Sequence, residues 1–331
     1  MARARLGMTV LAAAAAIASS GAWAQQVDRL SRECRAPLRQ CLLARADRAT
    51  CLVTAMQSLP DACRKAISER VAARAGALPA GWREDAFGSD PLQKLDWIKP
   101  ADTTKAPLLL FVHGGGWSIG DKRTGAGEKG QHFLGKGWAF ASTNYRLVPQ
   151  ASVEDQAADV AAAIAFLRRQ PGIDPDRIVL MGHSAGAHLA AFVSTDPTYL
   201  AKAGVPMSAV RGVVLLDGAG YDVGEQMAEP RNAVMSMYTQ AFGTDTKRQA
   251  ALSPARHAAA PNAGEWLILP VATRRDSTAQ SEKLARLLRK GGSKATLVPQ
   301  AGKTHASLNR ELGVAGDPAT ATVDAFLDRL R

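Results

Sequence analysis

The 331-residue chain is 47% apolar and 21% charged, with a formal net charge of +11. That balance excludes a largely disordered chain and leaves enough apolar surface for one sizeable core. Its Lys and Arg residues are scattered, with no long basic block and no nucleic-acid-binding motif, so the charge reads as a solvated surface and nucleic acid is excluded as a partner.

The chain opens on MARAR, the apolar run MTVLAAAAAIA and then Ala22-Trp23-Ala24. A basic start, a short apolar stretch and an A-x-A site predict a secretory signal peptide over residues 1–24, with an uncleaved anchor as the alternative. Removing it takes away Arg3 and Arg5 and lowers the formal charge to +9. The apolar run is too short to favour a membrane span. The mature protein is therefore expected to be exported, periplasmic or secreted, without an integral membrane segment.

All four cysteines, Cys34, Cys41, Cys51 and Cys63, fall in the next segment. An even, clustered set in an exported chain argues for disulfides. There is no C-x-x-C pair and no nearby histidine, so a metal site is not expected there. The Ala-, Leu- and Arg-rich sequence suits short helices. Two antiparallel helices would pair Cys34 with Cys63 and Cys41 with Cys51, one of the three pairings that four cysteines permit. ACRKAI with LPDAC is similar to the cysteine-rich repeat of some secreted proteins, which implies a structural or interaction module, a surface for a protein partner. Residues 25–75 are assigned to this stapled segment. Residues 76–106, rich in Gly, Pro and Asp, read as linker and lead-in.

From residue 107 to 331 short apolar strands alternate with helical stretches. LLLFVH, WAFASTNY, RIVLM, VRGVVLLD, EWLILPV and KATLVPQ read as strands. VEDQAADVAAAIAFLRR, SAGAHLAAFVS, AQSEKLARLLRK and DPATATVDAFLDRL read as helices. The fold class is α/β, a mostly parallel sheet covered on both faces. Two motifs stand on that frame. GHSAG, Gly182 to Gly186, lies between a strand and a helix, where a sharp turn exposes a serine at the sheet's carboxyl edge. Ser184 is thus the expected nucleophile. HGGGW, His113 to Trp117, follows another strand, and its glycines let backbone N–H groups approach an oxyanion. The N–H groups of Gly115, Gly116 and Ala185 are assigned to that role.

HGGGWSIGDK, STNYRLVP, GHSAG and HASLN occur in the order and spacing of α/β-hydrolases. Over roughly residues 95–331 the chain resembles the hormone-sensitive-lipase-like esterases, and more closely the arylformamidase-like and feruloyl-esterase-like branch. The resemblance implies an α/β-hydrolase fold, a Ser-Asp-His triad and no cofactor. In that fold the chain order is Ser, acid, His. His305 follows the last strand and is the expected base. His188 lies within the helix after the elbow, and His257 precedes the strand expected to deliver the acid. Asp276 follows that strand and is the expected acid, with Asp217 and Asp222 as competitors one strand earlier. YDVGEQMAEPRNAVMSMYTQAFGTD reads as a small cap, in which Met227, Met235, Met237, Tyr238 and Phe242 either line a pocket or pack the cap on the core. The expected reaction is hydrolysis of a small-molecule ester through an acyl-enzyme. A formamidase or amidase, or a feruloyl or acetylxylan-type esterase, is the alternative within enzymes; a non-catalytic binding module is the alternative outside them.

Overall fold

The computed structural model describes residues 78–228 and 235–331, with residues 33–36, 38, 55, 59–60, 62–63 and 66–67 of the N-terminal segment. Residues 1–24, where the sequence predicts a signal peptide, lie outside the described residues. The strands are β1 (Arg83–Ala86), β2 (Lys94–Ile98), β3 (Lys105–Val112), β4 (Ala139–Thr143), β5 (Gly172–His183), β6 (Val210–Leu216), β7 (Glu265–Leu269) and β8 (Lys294–Leu297). Among the described residues they form an eight-stranded sheet in the order β1-β2-β4-β3-β5-β6-β7-β8. The pairs β1–β2 and β2–β4 are antiparallel, and every pairing from β4 across to β8 is parallel.

The helices are α1 (Lys122–Ala126), α2 (Lys129–Gly135), α3 (Val153–Leu167), α4 (Ala185–Thr195), α5 (Pro197–Lys202), α6 (Val223–Ala228), α7 (Met235–Phe242), α8 (Thr246–Ala251), α9 (Arg275–Lys290), α10 (His305–Glu311) and α11 (Pro318–Asp328). Side chains alternate across a strand, so each central strand feeds two cores. Leu108, Leu110 and Val112 of β3 join Leu180 of β5 and the apolar faces of α3, α4 and α9. Leu109 and Phe111 join Val179, Met181 and residues of α2, α10 and α11 on the opposite face. Each fully buried Leu or Phe of this kind contributes about 1.5–3 kcal/mol. The start of α3 is fixed by a reciprocal cap: Ser152 Oγ accepts from the Asp155 N–H, and the Asp155 carboxylate accepts from the Ser152 N–H.

The register of the middle strands fixes where the loops emerge. Val112 pairs with Gly182, His183 with Leu216, and Leu216 with Leu269. The loops after β3, β5, β6 and β7 therefore leave one edge of the sheet side by side.

Two sequence expectations need correction or completion. The stretch read as linker and lead-in, residues 76–106, holds β1 and β2, so the sheet begins at Arg83, ahead of the first strand read from the sequence. The disguise is Asp96, buried at an inward position of KLDWI between the buried Leu95 and Trp97. Its carboxylate accepts from Lys122 Nζ at 2.6 Å and from Arg123 Nε at 2.8 Å, which together compensate its burial. In the N-terminal segment Cys34 and Cys63 are joined, with Cα atoms 5.3 Å apart, the outer bridge of the expected nested pair. Cys41 and Cys51 lie outside the described residues. Among the described residues no helix is long and apolar enough to cross a membrane.

Candidate active site

The geometry of GHSAG follows from steric exclusion. β5 ends at His183, and Ser184 turns the chain with φ 55° and ψ −122° before α4 begins. A left-handed φ costs a non-glycine residue roughly 1–3 kcal/mol. The turn persists because it is over-determined: the Ser184 N–H donates to the Leu216 carbonyl at 3.1 Å, and its carbonyl accepts from Ala187 and His188 at 3.0 and 3.2 Å. A Cβ on Gly182 would collide with the Gly186 carbonyl, and one on Gly186 with the Val112 and His113 carbonyls. Both flanking glycines are therefore obligatory. The first N–H groups of a helix lack intrahelical partners, so the amide of Ala185 is directed outward beside the serine with the positive end of α4 behind it.

The loop after β3 lies directly on this turn. A Cβ on Gly114 would fall 2.9 Å from Ser184 Cβ. Gly115 and Gly116 have φ of 127° and 58°, values open to glycine, and the Gly115 carbonyl accepts from Ser118 and Ile119 at 3.2 and 3.1 Å. The loop is fastened at both ends. Tyr145 Oη donates to the His113 carbonyl at 2.9 Å, and its ring stacks on the His113 imidazole at 4.4 Å. Further along, the Lys122 N–H donates to Asn144 Oδ1 at 2.6 Å, and Ser142 Oγ donates to the Lys122 carbonyl at 2.7 Å. His113 itself is buried, and burial lowers its basicity; with Nδ1 2.7 Å from the Gly114 carbonyl it donates there and shapes the loop.

His305 opens α10, whose N-cap Thr304 side chain accepts from the Ser307 N–H. The helix is held from below by Lys129, a fully buried lysine whose Nζ donates to the Asn309 carbonyl at 2.6 Å. Burial pushes that amine down to about 7. His305 Nδ1 lies 2.6 Å from Asp217 Oδ2. Asp217 stands immediately after β6 with φ 44°, and its Oδ1 accepts from the Val271 N–H at 2.9 Å. Burial alone would raise its carboxyl, but the His305 hydrogen bond, the His305 charge and Arg274 hold it far below the usual carboxylate range. It is a permanent anion set to fix the imidazole tautomer.

Asp276 is not that acid. It sits in the first turn of α9, which begins at Arg275, four residues ahead of the predicted helix. A carboxylate is favoured there by the helix dipole. Its side chain is 39% exposed and bonds Arg274 at 3.0 Å. The strand preceding it delivers Arg274 to the dyad instead: Arg274 Nη1 is 2.6 Å from Asp217 Oδ2 and 2.7 Å from His305 Nδ1. Asp222, the other competitor, is bound by Lys283 at 2.8 Å.

The remaining histidines sort by contact. His188 Nε2 donates to the Leu252 carbonyl at 2.9 Å, and Trp117 Nε1 approaches its Nδ1 at 3.4 Å; burial pushes it down to about 4, so it is a neutral packing residue. His257 Nε2 donates to the Ala251 carbonyl at 2.7 Å. His183 went unnoticed in the sequence although it precedes the serine. Its ring lies 4.5 Å from the His305 ring, and its Nε2 donates to the His305 carbonyl at 2.9 Å. Burial, then the His305 charge, push it well below the usual histidine range, so it stays neutral beside the base. In the cap, Tyr238 and Phe242 of α7 are buried against Trp117 at 5.2 and 4.7 Å, which favours packing over pocket lining for these two. Met227 and Met237 are partly buried against the same core.

The chain is similar to several proteins named as esterases. A family model described as BD-FAE matches residues 95–242. The probable isoprenylcysteine alpha-carbonyl methylesterase ICMEL1 of Arabidopsis thaliana is 40% identical over 113 residues, 33% of this chain and 24% of that one. Esterase LipQ of Mycobacterium tuberculosis is 39% identical over 103 residues, 30% of this chain and 24% of that one. The chain thus spans about a quarter of the length of these relatives. Among solved structures, Thermogutta terrifontis esterase 2 phosphonylated by sarin superposes with a TM-score of 0.64 at 25% identity, covering 77% of this chain and 96% of that one. Esterase B from Lactobacillus rhamnosis superposes with a TM-score of 0.64 at 20% identity, covering 84% and 95%.

Proposed function

We propose that this chain, which has the α/β-hydrolase fold, is an exported serine carboxylesterase of the hormone-sensitive-lipase-like type, acting on small or aryl carboxylic esters through an acyl-enzyme. One observation carries the reading: a serine held at φ 55° on a glycine-bracketed turn, at the same sheet edge as a buried carboxylate that holds an imidazole 2.6 Å away. Ser184 Oγ attacks the ester carbonyl while His305 Nε2 takes its proton. Asp217 holds Nδ1–H and stabilises the imidazolium. The N–H groups of Gly115, Gly116 and Ala185 receive the oxyanion, each worth roughly 3–4 kcal/mol of barrier. His305 then protonates the departing alkoxide, and water repeats the sequence to free the acid.

Several relatives carry esterase names, one of them that of a probable isoprenylcysteine alpha-carbonyl methylesterase, which supports an ester over an amide. The cap packs Tyr238 and Phe242 on Trp117, the residue that closes the HGGGW motif, which places the cap against the oxyanion loop; a short cap closing on that loop favours small acyl or aryl esters. Export is supported by the N-terminal pattern and by a disulfide between Cys34 and Cys63. The cysteine-stapled segment is read as accessory, available to a protein partner.

The test is hydrolysis of p-nitrophenyl acetate by the wild type and by Ser184→Ala, with butyryl, feruloyl and N-formyl substrates in parallel. A loss of kcat/KM of about 10⁴-fold or more is expected in the variant. Equal rates would sink the reading and leave a hydrolase-shaped binding module.

A further inference from the structure

Arg274 has no part in the two-step mechanism, yet its guanidinium contacts both members of the dyad. Its Nη1 is 2.6 Å from Asp217 Oδ2 and 2.7 Å from His305 Nδ1, while its Nη2 reaches Asp276 at 3.0 Å. Since Asp217 Oδ2 and His305 Nδ1 are themselves 2.6 Å apart, the three atoms close a triangle. Every guanidinium N–H is a donor, and guanidinium cannot give up its proton in a protein. His305 Nδ1 has one position in the ring plane to offer. It can accept there from Arg274, with the proton on Nε2, or donate from there to Asp217, but it cannot do both. The neutral ring can take either arrangement, and only the second, with Nδ1–H on Asp217, leaves Nε2 free to accept the serine proton. The imidazolium can take only the second, and then it carries its charge against a guanidinium.

We propose that Arg274 is a positioning residue of the dyad that shares Asp217 with His305 and opposes protonation of the ring, so that the base stays available at lower pH than the Asp217–His305 pair alone would allow. Two effects act in the same direction. The fixed cation disfavours a second positive charge beside it, and its claim on Oδ2 weakens the anion's pull on Nδ1–H.

The other charged and titratable groups around the ring do not supply this effect. His183, at the end of β5, stays neutral. Lys129, under α10, is bound to the Asn309 carbonyl. Lys303, two residues before the ring, is paired with Glu311 and Asp317. Tyr238 and Tyr221 are held in the neutral phenol form by burial. Asp276 faces Arg274, anchoring it from the solvent side.

The proposal rests on the esterase reading for one of its two measurements and is independent of it for the other. The first is the pH profile of kcat/KM with p-nitrophenyl acetate for the wild type, Arg274→Gln, Arg274→Met and Arg274→Lys. Both charge-removing variants are expected to move the acid limb up by about one pH unit, roughly a tenfold relative loss on that limb, with Arg274→Lys close to the wild type. Arg274→Met keeps the side-chain bulk in case the glutamine variant does not fold. The second follows the His305 ring Cε1–H signal by NMR across pH, assigned through its loss in His305→Gln; its midpoint is expected to rise by the same amount when Arg274 is neutralised. An acid limb and a ring midpoint that stay put or fall in both neutral variants overturn the proposal. If no variant hydrolyses ester, the esterase reading fails while the ring titration still decides the role of Arg274.

Discussion

The two halves of the site are built on different principles. The nucleophile and the oxyanion loop are fixed by backbone sterics: Gly182, Gly186 and Gly114 each stand where a side chain would strike main chain or Ser184. The acid and its surroundings are fixed by tertiary reach: Asp217, Arg274 and His305 meet from three loops at one sheet edge. Steric demands leave glycines at set spacings, and these are visible in any single sequence. Tertiary reach leaves only an aspartate after a strand, and several strands offer one.

The contrast can be broken or sharpened by substitution. The largest effect is expected at the acid: Asp217→Asn should lower kcat/KM roughly 10³–10⁴-fold, because the tautomer is lost while the fold remains. Asp276→Asn, which changes only an exposed partner of Arg274, should stay within about threefold at the pH optimum. The reverse ranking in steady-state kinetics would restore Asp276 as the acid.

On the steric side, Gly186→Ala drives a methyl group into the carbonyls of β3's end. It should cost about 3 kcal/mol or more of stability, visible as a lowered Tm or as insoluble protein. A soluble variant with an unshifted Tm would remove the steric argument.

A smaller effect separates structure from chemistry at Lys129, whose amine is pushed down to about 7 by burial. Its unfolded value is near 10.4, so between these pH values the unfolded chain binds the extra proton. Stability from this group therefore rises with pH across that window, by about 1.4 kcal/mol per pH unit at most, and is lowest below pH 7. The wild type's Tm should gain on that of Lys129→Met between pH 7 and 10. A constant difference would show that the amine does not change charge on folding.

Much of the fold was legible in the residues. The runs LLLFV, RIVLM and EWLIL became central strands because buried parallel strands tolerate continuous apolar sequence. β2 was hidden because Asp96 interrupts the pattern, and its justification, Lys122 and Arg123, lies on a helix after the next strand. At the site, the order of Ser184 and His305 along the chain followed from strand-loop-helix alternation. Two signals could have pointed elsewhere than Asp276. ATRRDST runs directly into a helix whose first turn welcomes an acid, and DGAG after β6 places an aspartate at a glycine-rich turn, where Asp217 adopts φ 44°. His183 was readable in GHSAG only as a filler between glycine and serine, because its contact with His305 crosses 122 residues.

The pairing of Leu216 with Leu269 has a consequence for how such sites change over time. It sets Asp217 and the loop carrying Arg274 on adjacent strands, about 5 Å apart, both within reach of the same imidazole nitrogen. A lineage could carry its acid from one loop to the other through an intermediate with a carboxylate on both, without moving the nucleophile or the base. The role belongs to a place on the sheet edge rather than to a position in the chain. The double variant Asp217→Asn, Arg274→Asp is the corresponding engineering step, and recovery of hydrolysis relative to Asp217→Asn alone would show that the move is open.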